Sequence, residues 1–362
     1  MFFKKFVLVG MVLLLALCAF SAPEKYWSEV ADTAKEGTDY TKIDEVIHIK
    51  TPLGLAWFAS QINGKFEGAY LDAFLENDLN MSGYFWRPIG SSGVEITSEN
   101  LNAEIQPYSG IFDGNGKTIK GLTYSPKDFL FGLFSCVMSD VKSMLDEESL
   151  KNLETLEISM PDKNGVVKNL TISIDKDISI QDKAFYGSVS ITNVGTIENC
   201  HVINGTKNKY AEIKIIKNIL SNSTESSISG GSGIVLFNSG TIKNCSVDGI
   251  SISGFYGASG IAGLIDGLLS GNKNITAINC KISNSKISAV EPFDICGSNS
   301  IACRLVRCSS ENVNIVYEQF GDQISFANRT VDATVDEYTA ENSSSNYSAV
   351  LIEKANNSNI KE

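Results

Sequence analysis

Short apolar runs separated by Gly, Asn and Asp make up most of the chain from residue 108 to about residue 320. Within these runs apolar and polar residues alternate, as in Cys245-Ser246-Val247, and a period of two is typical of a half-buried β-strand. The pattern therefore predicts an all-β region of many short strands. Residues 143–163 depart from it, and their leucines at 150, 153 and 156 suit a short helix inserted between strands.

A helical pattern occurs ahead of this β region. Thr51 can cap a helix, and Pro52 suits the first helical position because its missing N–H would have no partner there in any case. Apolar residues then recur at helical spacing, namely Leu55, Phe58, Ala59 and Ile62. We predict a helix over 52–63 within an N-terminal cap region, 22–107. The chain after residue 330 is acidic and rich in Ser and Asn, and we expect 321–362 to form a C-terminal cap or tail.

The β region, 108–320, contains an internal repeat. Four stretches resemble one another and a fifth does so more weakly: Gly165-Val-Val-Lys-Asn-Leu170, Gly195-Thr-Ile-Glu-Asn-Cys200, Gly240-Thr-Ile-Lys-Asn-Cys245, Thr276-Ala-Ile-Asn-Cys280 and Arg304-Leu-Val-Arg-Cys308. Their last residues are 30, 45, 35 and 28 positions apart. Periods of about 20–50 residues indicate stacked repeats, in which no single unit can bury its apolar face alone.

The Asn positions indicate the kind of repeat. The apolar residues on either side of each Asn, such as Ile197 and Cys200, are three apart, so both face inward only if the chain bends between them. Asn favours such a bend because it tolerates left-handed backbone angles. We expect a ladder of amide hydrogen bonds at the strand spacing of about 4.8 Å, formed by Asn169, Asn199, Asn244 and Asn279. The predicted fold class is all-β, a single-stranded parallel β-helix (a solenoid) with an N-terminal cap containing one short helix.

Several motifs resemble those of a known family. They are Leu55-Ala-Trp-Phe-Ala59, Leu79-Asn-Met-Ser-Gly83, Trp86-Arg-Pro-Ile-Gly90, Tyr108-Ser-Gly-Ile-Phe-Asp-Gly-Asn-Gly-Lys-Thr-Ile-Lys-Gly-Leu122 and Phe131-Gly-Leu-Phe134. Together they resemble the start of bacterial GLUG-motif proteins. Ser135 stands where a second glycine is usual, and Arg307 replaces the ladder Asn. The resemblance implies a secreted or surface β-solenoid associated with adhesion, and it supplies no catalytic residues.

The N-terminus indicates export. Lys4 and Lys5 precede an apolar run that ends at Phe20, which is too short to cross a bilayer but suits a signal peptide. We predict a signal peptide over 1–21 and a secreted or cell-surface protein with no membrane span. A lipoprotein is the alternative, which would use Cys18, although Leu17 departs from the small residue that this site requires.

Charge and ligand types restrict the function classes. The net charge is −12 and the chain has four arginines, so it lacks the basic surface that nucleic-acid binding requires. Asp175, Asp177 and Asp182 form an acidic cluster that we interpret as solvated strand ends, with a calcium site as the alternative. We predict no cofactor and no metal site.

The cysteines share a repeat position. Cys200, Cys245, Cys280 and Cys308 are expected to form an inward column of small buried side chains, which spreads them along an axis instead of around one metal ion. His201 follows Cys200 and points to the opposite face of the strand, so the two cannot chelate together. A disulfide within the column, or between Cys296 and Cys303, is the alternative.

Aromatic residues before glycines suggest a binding face. Phe131, Phe185-Tyr186 and Phe255-Tyr256 each precede a Gly, and in each Phe-Tyr pair one ring is expected to face outward. We take Tyr186, Tyr256 and Phe131 as candidate ligand contacts for a neutral glycan or a surface protein; the alternative is that the rings only cover glycine backbone.

Two function classes follow from these patterns. We favour a non-catalytic, exported solenoid that acts in adhesion or in binding glycan or protein. The alternative is a β-helix polysaccharide lyase or hydrolase. Such enzymes need paired carboxylates or metal-bound Asp with a basic residue, and the Asp-Asp, His-Gly and Arg-Ile-Lys signatures of the hydrolase branch are missing. The chain has only His48 and His201 for a nucleophile system that uses His.

Overall fold

The computed structural model describes twelve ranges of the chain: 25–63, 66–91, 107–139, 163–181, 184–216, 230–254, 257–263, 274–289, 291–293, 295, 302–317 and 329–341. The predicted signal peptide, nearly all of the predicted insertion, Tyr256, Phe255 and Cys296 lie outside these residues.

The described part of the chain consists mainly of β-strands. In chain order they are β1 (Tyr40–Ile43), β2 (Val46–Ile49), β3 (Asp72–Leu75), β4 (Leu79–Asn80), β5 (Ile111–Lys120), β6 (Leu130–Phe131), β7 (Phe134–Val137), β8 (Val166–Ile174), β9 (Ile178–Gln181), β10 (Phe185–Gly187), β11 (Ser190–Asn193), β12 (Thr196–Asn204), β13 (Ala211–Ile216), β14 (Gly230–Ser232), β15 (Val235–Asn238), β16 (Thr241–Lys243), β17 (Ser246–Asp248), β18 (Ile250–Ser253), β19 (Gly257–Ser259), β20 (Asn274–Ile278), β21 (Lys281–Ser283), β22 (Lys286–Ala289), β23 (Glu291–Phe293), β24 (Ala302–Tyr317) and β25 (Arg329–Glu341). The all-β prediction is confirmed.

One α-helix occurs among the described residues. Helix α1 spans Pro52–Ile62, where the apolar spacing places it, and the Thr51 hydroxyl caps it by accepting a hydrogen bond from the Gly54 N–H at 3.2 Å. Phe58 is fully buried, and its ring packs against the rings of Tyr108 and Phe112. The helix therefore packs into the same hydrophobic core as the first strands. Short 3₁₀ helices flank it at Trp27–Glu29, Ala31–Thr33 and Phe66–Tyr70. None of the helices described is long and apolar enough to span a bilayer.

The largest sheet contains seventeen of the described strands, and most of its neighbours are parallel. Strand β12 lies between β8 on one side and β16 and β17 on the other, and β16 and β17 pair in turn with β20 and β21. The register keeps the repeat positions opposite one another, so that Val202 lies beside Val247 and Val247 beside Ile282. These inward positions are fully buried and form the core.

Antiparallel pairs make this sheet mixed. Strand β1 pairs antiparallel with β2. Strand β25, which is thirteen residues long and lies in the predicted C-terminal cap or tail, pairs antiparallel with β24. Both pairs involve the first or last described strands of the sheet, whereas the strands between them, from β2 to β24, pair in parallel.

Two smaller sheets are parallel throughout their described strands. One has five strands in the order β23-β19-β14-β10-β6, and the other has three in the order β15-β11-β7. The chain visits the sheets in a recurring order: β10 lies in the five-stranded sheet, β11 in the three-stranded sheet, and β12 and β13 in the large sheet, before β14 returns to the first. From β6 to β18 each sequence repeat thus corresponds to one passage through three sheets, whereas the described strands from β19 to β24 belong to the five-stranded and the large sheet.

Candidate functional site

The repeated asparagines occupy left-handed bends. Asn169, Asn199, Asn244 and Asn279 have φ angles of 55°, 52°, 54° and 52°. The Asn199 amide donates to the Asn169 Oδ1 at 2.8 Å, and the Asn279 amide donates to the Asn244 Oδ1 at the same distance. Asn169 in turn donates to the Asp113 carboxylate at 3.0 Å. The side chains thus satisfy one another at the bends, which gives them a structural role.

A second pair of asparagines, which sequence analysis missed, lies in the core. Asn193 and Asn238 are fully buried, and the Asn193 amide donates to the Asn238 Oδ1 at 2.7 Å. Each Oδ1 also accepts the backbone N–H of the glycine two residues later, Gly195 or Gly240. The signal was present in the sequence, because each Asn stands two residues before a Gly-Thr-Ile stretch.

The cysteine column consists of buried thiols. Cys200, Cys245 and Cys280 carry free thiols, as does Cys136, and Cys308 is buried at the next position of the column. Burial raises the pKa of the Cys136 thiol to about 12 and raises that of Cys245, while a hydrogen bond with Cys308 and burial raise the pKa of Cys280. A raised pKa keeps these groups protonated and weakly nucleophilic. The side chains of Cys296 and Cys303 lie outside the part of the chain that the structure describes.

His201 lies on the opposite face of β12, beside the asparagine bend. Its Nε2 is 3.1 Å from the Asn199 Oδ1, and its Nδ1 is 2.8 Å from the Ser246 hydroxyl. Because Asn199 uses its amide N–H toward Asn169, its oxygen faces the ring, so Nε2 carries the proton and Nδ1 accepts from Ser246. Partial burial lowers the pKa of His201.

The predicted aromatic platform is wrong for the two members that the structure describes. Tyr186 is fully buried and Phe131 is 1% exposed, so neither ring can contact a ligand at the surface. The alternation argument failed because both faces of β10 are covered: Phe185 packs against the ring of Phe237, and Tyr186 meets Tyr124 edge-on. The third candidate, Tyr256, lies outside the described residues.

The outward face of the large sheet carries a regular polar surface. Three threonines lie side by side in β12, β16 and β20 and are each partly exposed; we call Thr196, Thr241 and Thr276 the threonine column. Two residues after the threonine, Lys243 of β16 forms an ion pair with Glu198 of β12 at 2.8 Å. At the same level of the strands on the other side of β12, Lys168 of β8 forms an ion pair with Asp113 of β5 at 3.3 Å. The face is therefore polar but locally neutral.

A cavity of about 240 Å³ lies beside α1, and we call it the cap cavity. Trp27 and Trp86 form part of its wall, and Ala56 and Ala59 of α1 form another part. The side chain of Arg87 also lines it. This cavity brings together residues of α1, residues of the 3₁₀ helix Trp27–Glu29 and residues of the loop that contains Trp86 and Arg87, and no sequence pattern groups them.

The described residues hold no group of three or more His, Cys, Asp or Glu side chains that could bind a metal ion. The chain matches no protein family, no curated protein and no solved structure in the comparisons made with each. The candidate surfaces therefore have to be interpreted from their own chemistry.

Proposed function

We propose that the chain is an exported, single-stranded parallel β-helix of the GLUG-motif type that binds an extended neutral glycan or a surface protein without chemical turnover. The solenoid interpretation is supported by the recurring order of the three sheets and by the parallel register between successive repeats. In this interpretation one passage through the three sheets is one coil, and the antiparallel pair β24–β25 covers the last coil.

The threonine column is the observation that carries the binding proposal. Parallel strands in register lie about 4.8 Å apart, so the hydroxyl groups of Thr196, Thr241 and Thr276 recur along the coil axis at that interval. A long ligand with repeated hydrogen-bonding groups can contact several of them at once. Binding through repeated weak contacts gains from this multiplicity without requiring a deep pocket.

The charge of the surface supports a neutral partner. The lysines beside the threonine column are paired with Asp113 and Glu198, so they do not form a basic strip for a polyanion. The chain as a whole carries a net charge of −12, which repels acidic polysaccharides. An electrically neutral glycan avoids both penalties, as does a protein whose contact surface is uncharged.

A binding assay with the secreted chain tests this proposal. The double variant Thr241→Glu, Thr276→Glu places two carboxylates on the threonine column and should abolish binding to a neutral-glycan array or to a panel of purified surface proteins. The matched control is Thr33→Glu, Thr38→Glu, which changes two exposed threonines in the N-terminal region and should leave binding intact.

The same assay can overturn the proposal in two ways. Equal binding by both double variants would exclude the threonine column as the contact surface. Release of reducing ends or unsaturated products from a polysaccharide would replace the binding function with the lyase or hydrolase function.

A further inference from the structure

We propose that Ser246, His201 and Asn199 act as nucleophile, general base and orienting group in the hydrolysis of small carboxylic esters. Ser246 of β17 lies beside His201 of β12 on the outward face of the large sheet, and both residues are partly exposed. The site uses no residue of the threonine column. It goes beyond the binding function proposed above, because it would cleave an acyl ester and leave glycosidic and peptide bonds intact.

A chain of hydrogen bonds fixes the protonation of His201. The Asp113 carboxylate can only accept, so the Asn169 amide donates to it at 3.0 Å, and the Asn169 Oδ1 accepts from the Asn199 amide at 2.8 Å. The Asn199 Oδ1 therefore faces the ring and accepts from Nε2 at 3.1 Å. Nδ1 is then unprotonated and accepts from the Ser246 hydroxyl at 2.8 Å. This is the direction in which a nucleophilic serine must pass its proton.

The order of hydroxyl, imidazole and amide is that of an activated nucleophile. A serine hydroxyl is a weak nucleophile unless an adjacent base, itself oriented by a third group, takes its proton, and an amide is the orienting group in Cys-His-Asn systems. Burial lowers the pKa of His201, and the residues beside it in the neighbouring strands, Thr171 and Ser246, are uncharged. His201 is therefore mainly neutral at pH 7 and can act as the base.

Asn244 supplies a donor for the oxyanion that forms during acyl transfer. Its neighbours in the chain pair with those of Asn199, so the two bends lie side by side. In the ladder bonds described above, the amide of the later repeat donates to the Oδ1 of the earlier one. At this step the Asn199 oxygen accepts from His201 instead, and no residue that the structure describes accepts from the Asn244 amide. An oriented amide two residues before Ser246 can donate to charge that develops on a carbonyl oxygen.

The reaction is acyl transfer in two steps. The Ser246 Oγ attacks the ester carbonyl carbon while its proton passes to the His201 Nδ1, and the oxyanion accepts a hydrogen bond from the Asn244 amide. The bond from carbon to the alcohol oxygen then breaks, the Nδ1 proton goes to that oxygen, and an acyl ester of Ser246 remains. Water attacks this ester and gives a proton to Nδ1, and the carboxylic acid leaves as the proton returns to Oγ.

The surroundings of the site favour a small acyl group. On the two sides of His201 and Ser246 the residues in register are the partly exposed Thr171 and the exposed Lys281. Lys281 forms an ion pair with Glu311, so no isolated charge stands next to the serine. A sheet face provides no deep apolar pocket for a long acyl chain. Acetyl esters of neutral alcohols are therefore the class of substrate that we expect to react.

Hydrolysis of p-nitrophenyl acetate by the secreted chain at neutral pH tests the proposal. Absorbance follows the release of nitrophenolate, and peptide mass spectrometry after an acid quench locates the acetyl group. We expect saturable turnover and an acetyl group on Ser246. Ser246→Ala and His201→Gln should each lower kcat/KM about 100-fold or more, because one removes the nucleophile and the other the base.

The variant Asn244→Asp tests the oxyanion donor. It keeps an oxygen that accepts from Asn279 and a residue type that tolerates the left-handed bend, but it loses the amide N–H. We expect kcat to fall about 10²–10³-fold with KM little changed. The matched control is Ser283→Ala, which removes a partly exposed hydroxyl of the same sheet that donates to Asp248, and it should leave the rate unchanged.

A second control separates the site from catalysis by any exposed imidazole. His48 lies beside the Glu76 carboxylate instead of a hydroxyl, so His48→Gln should not alter the rate. The proposal is overturned if the unaltered chain shows no turnover, if Ser246→Ala is as active as the unaltered chain, or if the acetyl group is found only on other residues. If a variant does not fold, the acetylation site in the unaltered chain decides. Array binding through the threonine column should be unaffected by Ser246→Ala, so the two proposals fail separately.

Discussion

The side-chain amide of Asn199 donates to the Oδ1 of Asn169 at 2.8 Å, although thirty residues separate the two along the chain. Both residues hold left-handed backbone angles, and the same bond joins Asn279 to Asn244. In each pair the residue of the later repeat donates to the earlier one. One residue type thus supplies both the bend within a repeat and a link between repeats.

Arg307 occupies the next position of this ladder, and replacing it should stabilise the protein. Its φ is 49°, and its neighbours pair with those of Asn279, so Arg307 adopts a left-handed angle that costs an ordinary residue about 1–2 kcal/mol. Arg307→Asn relieves part of that cost and offers an amide to Asn279. We expect the free energy of unfolding to rise by about 1 kcal/mol in urea titrations.

The control for this prediction is Asn279→Ala, which removes the hydrogen bond to Asn244 and leaves a non-Gly residue at the bend. It should lower the free energy of unfolding by about 1–3 kcal/mol. A destabilising Arg307→Asn alongside a neutral Asn279→Ala would show that the ladder contributes nothing.

Tyr186 should behave as a core residue in mutagenesis. Its ring is fully buried and its hydroxyl lies 3.0 Å from the Ser188 hydroxyl. Tyr186→Ala should lower the free energy of unfolding by about 3–5 kcal/mol, and Tyr186→Phe, which loses only the hydrogen bond, by about 1 kcal/mol. Chemical denaturation followed by circular dichroism measures both. An unfolding free energy unaffected by Tyr186→Ala would contradict the burial of the ring.

The thiols of the cysteine column should be protected from reagents in the native state. Cys200, Cys245 and Cys280 are each at most 1% exposed, and the raised pKa of Cys245 and Cys280 keeps their thiols protonated. Maleimide labelling at neutral pH should leave all three unmodified until denaturant is added, as peptide mass spectrometry would reveal. Rapid labelling of any one without denaturant would mean that its repeat opens readily.

His201 should make the stability depend on pH on the acidic side. Partial burial lowers its pKa below the value of about 6.5 expected in the unfolded chain. Between those two values the unfolded chain binds more protons than the folded one, so stability falls as the pH falls below about 6.5 and stops falling below the folded pKa. Melting temperatures measured from pH 7.5 to pH 5 report this slope.

The variant His201→Gln isolates that contribution. Glutamine can donate to Asn199 and accept from Ser246 as the neutral ring does, but it does not titrate. The difference in melting temperature between the two proteins should therefore grow in favour of the variant as the pH falls. A constant difference across the range would remove His201 as the cause.

The repeat could be predicted from the sequence because one residue type, Asn, recurs where the backbone must adopt a left-handed bend. A bend between two inward residues requires a left-handed angle, and Asn at 169, 199, 244 and 279 meets that need at each level. The burial of Tyr186 could not be predicted in this way. Strand alternation indicates that neighbouring side chains point to opposite faces of the sheet, but it does not indicate whether another part of the chain covers the second face. In β10 both faces are covered, as the burial of Phe185 and Tyr186 shows.

The cap cavity could not be predicted from the sequence for a different reason. Trp27 and Trp86 are distant in the chain, yet both line the cavity. Long-range hydrogen bonds hold them there, from Trp27 to the Met81 carbonyl and from Trp86 to the Leu133 carbonyl. No local spacing encodes such a convergence. The buried pair of Asn193 and Asn238 could have been predicted from the sequence, because a Gly-Thr-Ile stretch begins two residues after each of them.

The uniform register between neighbouring repeats has an evolutionary consequence. Strand β12 meets β16 and β17 at the same positions at which β16 and β17 meet β20 and β21. A duplicated or deleted segment of one repeat would therefore find matching neighbours above and below, while the antiparallel pairs β1–β2 and β24–β25 would stay unaltered. In the proposed solenoid, duplicating or deleting one repeat would change the length of the molecule by one coil and leave both antiparallel pairs in place.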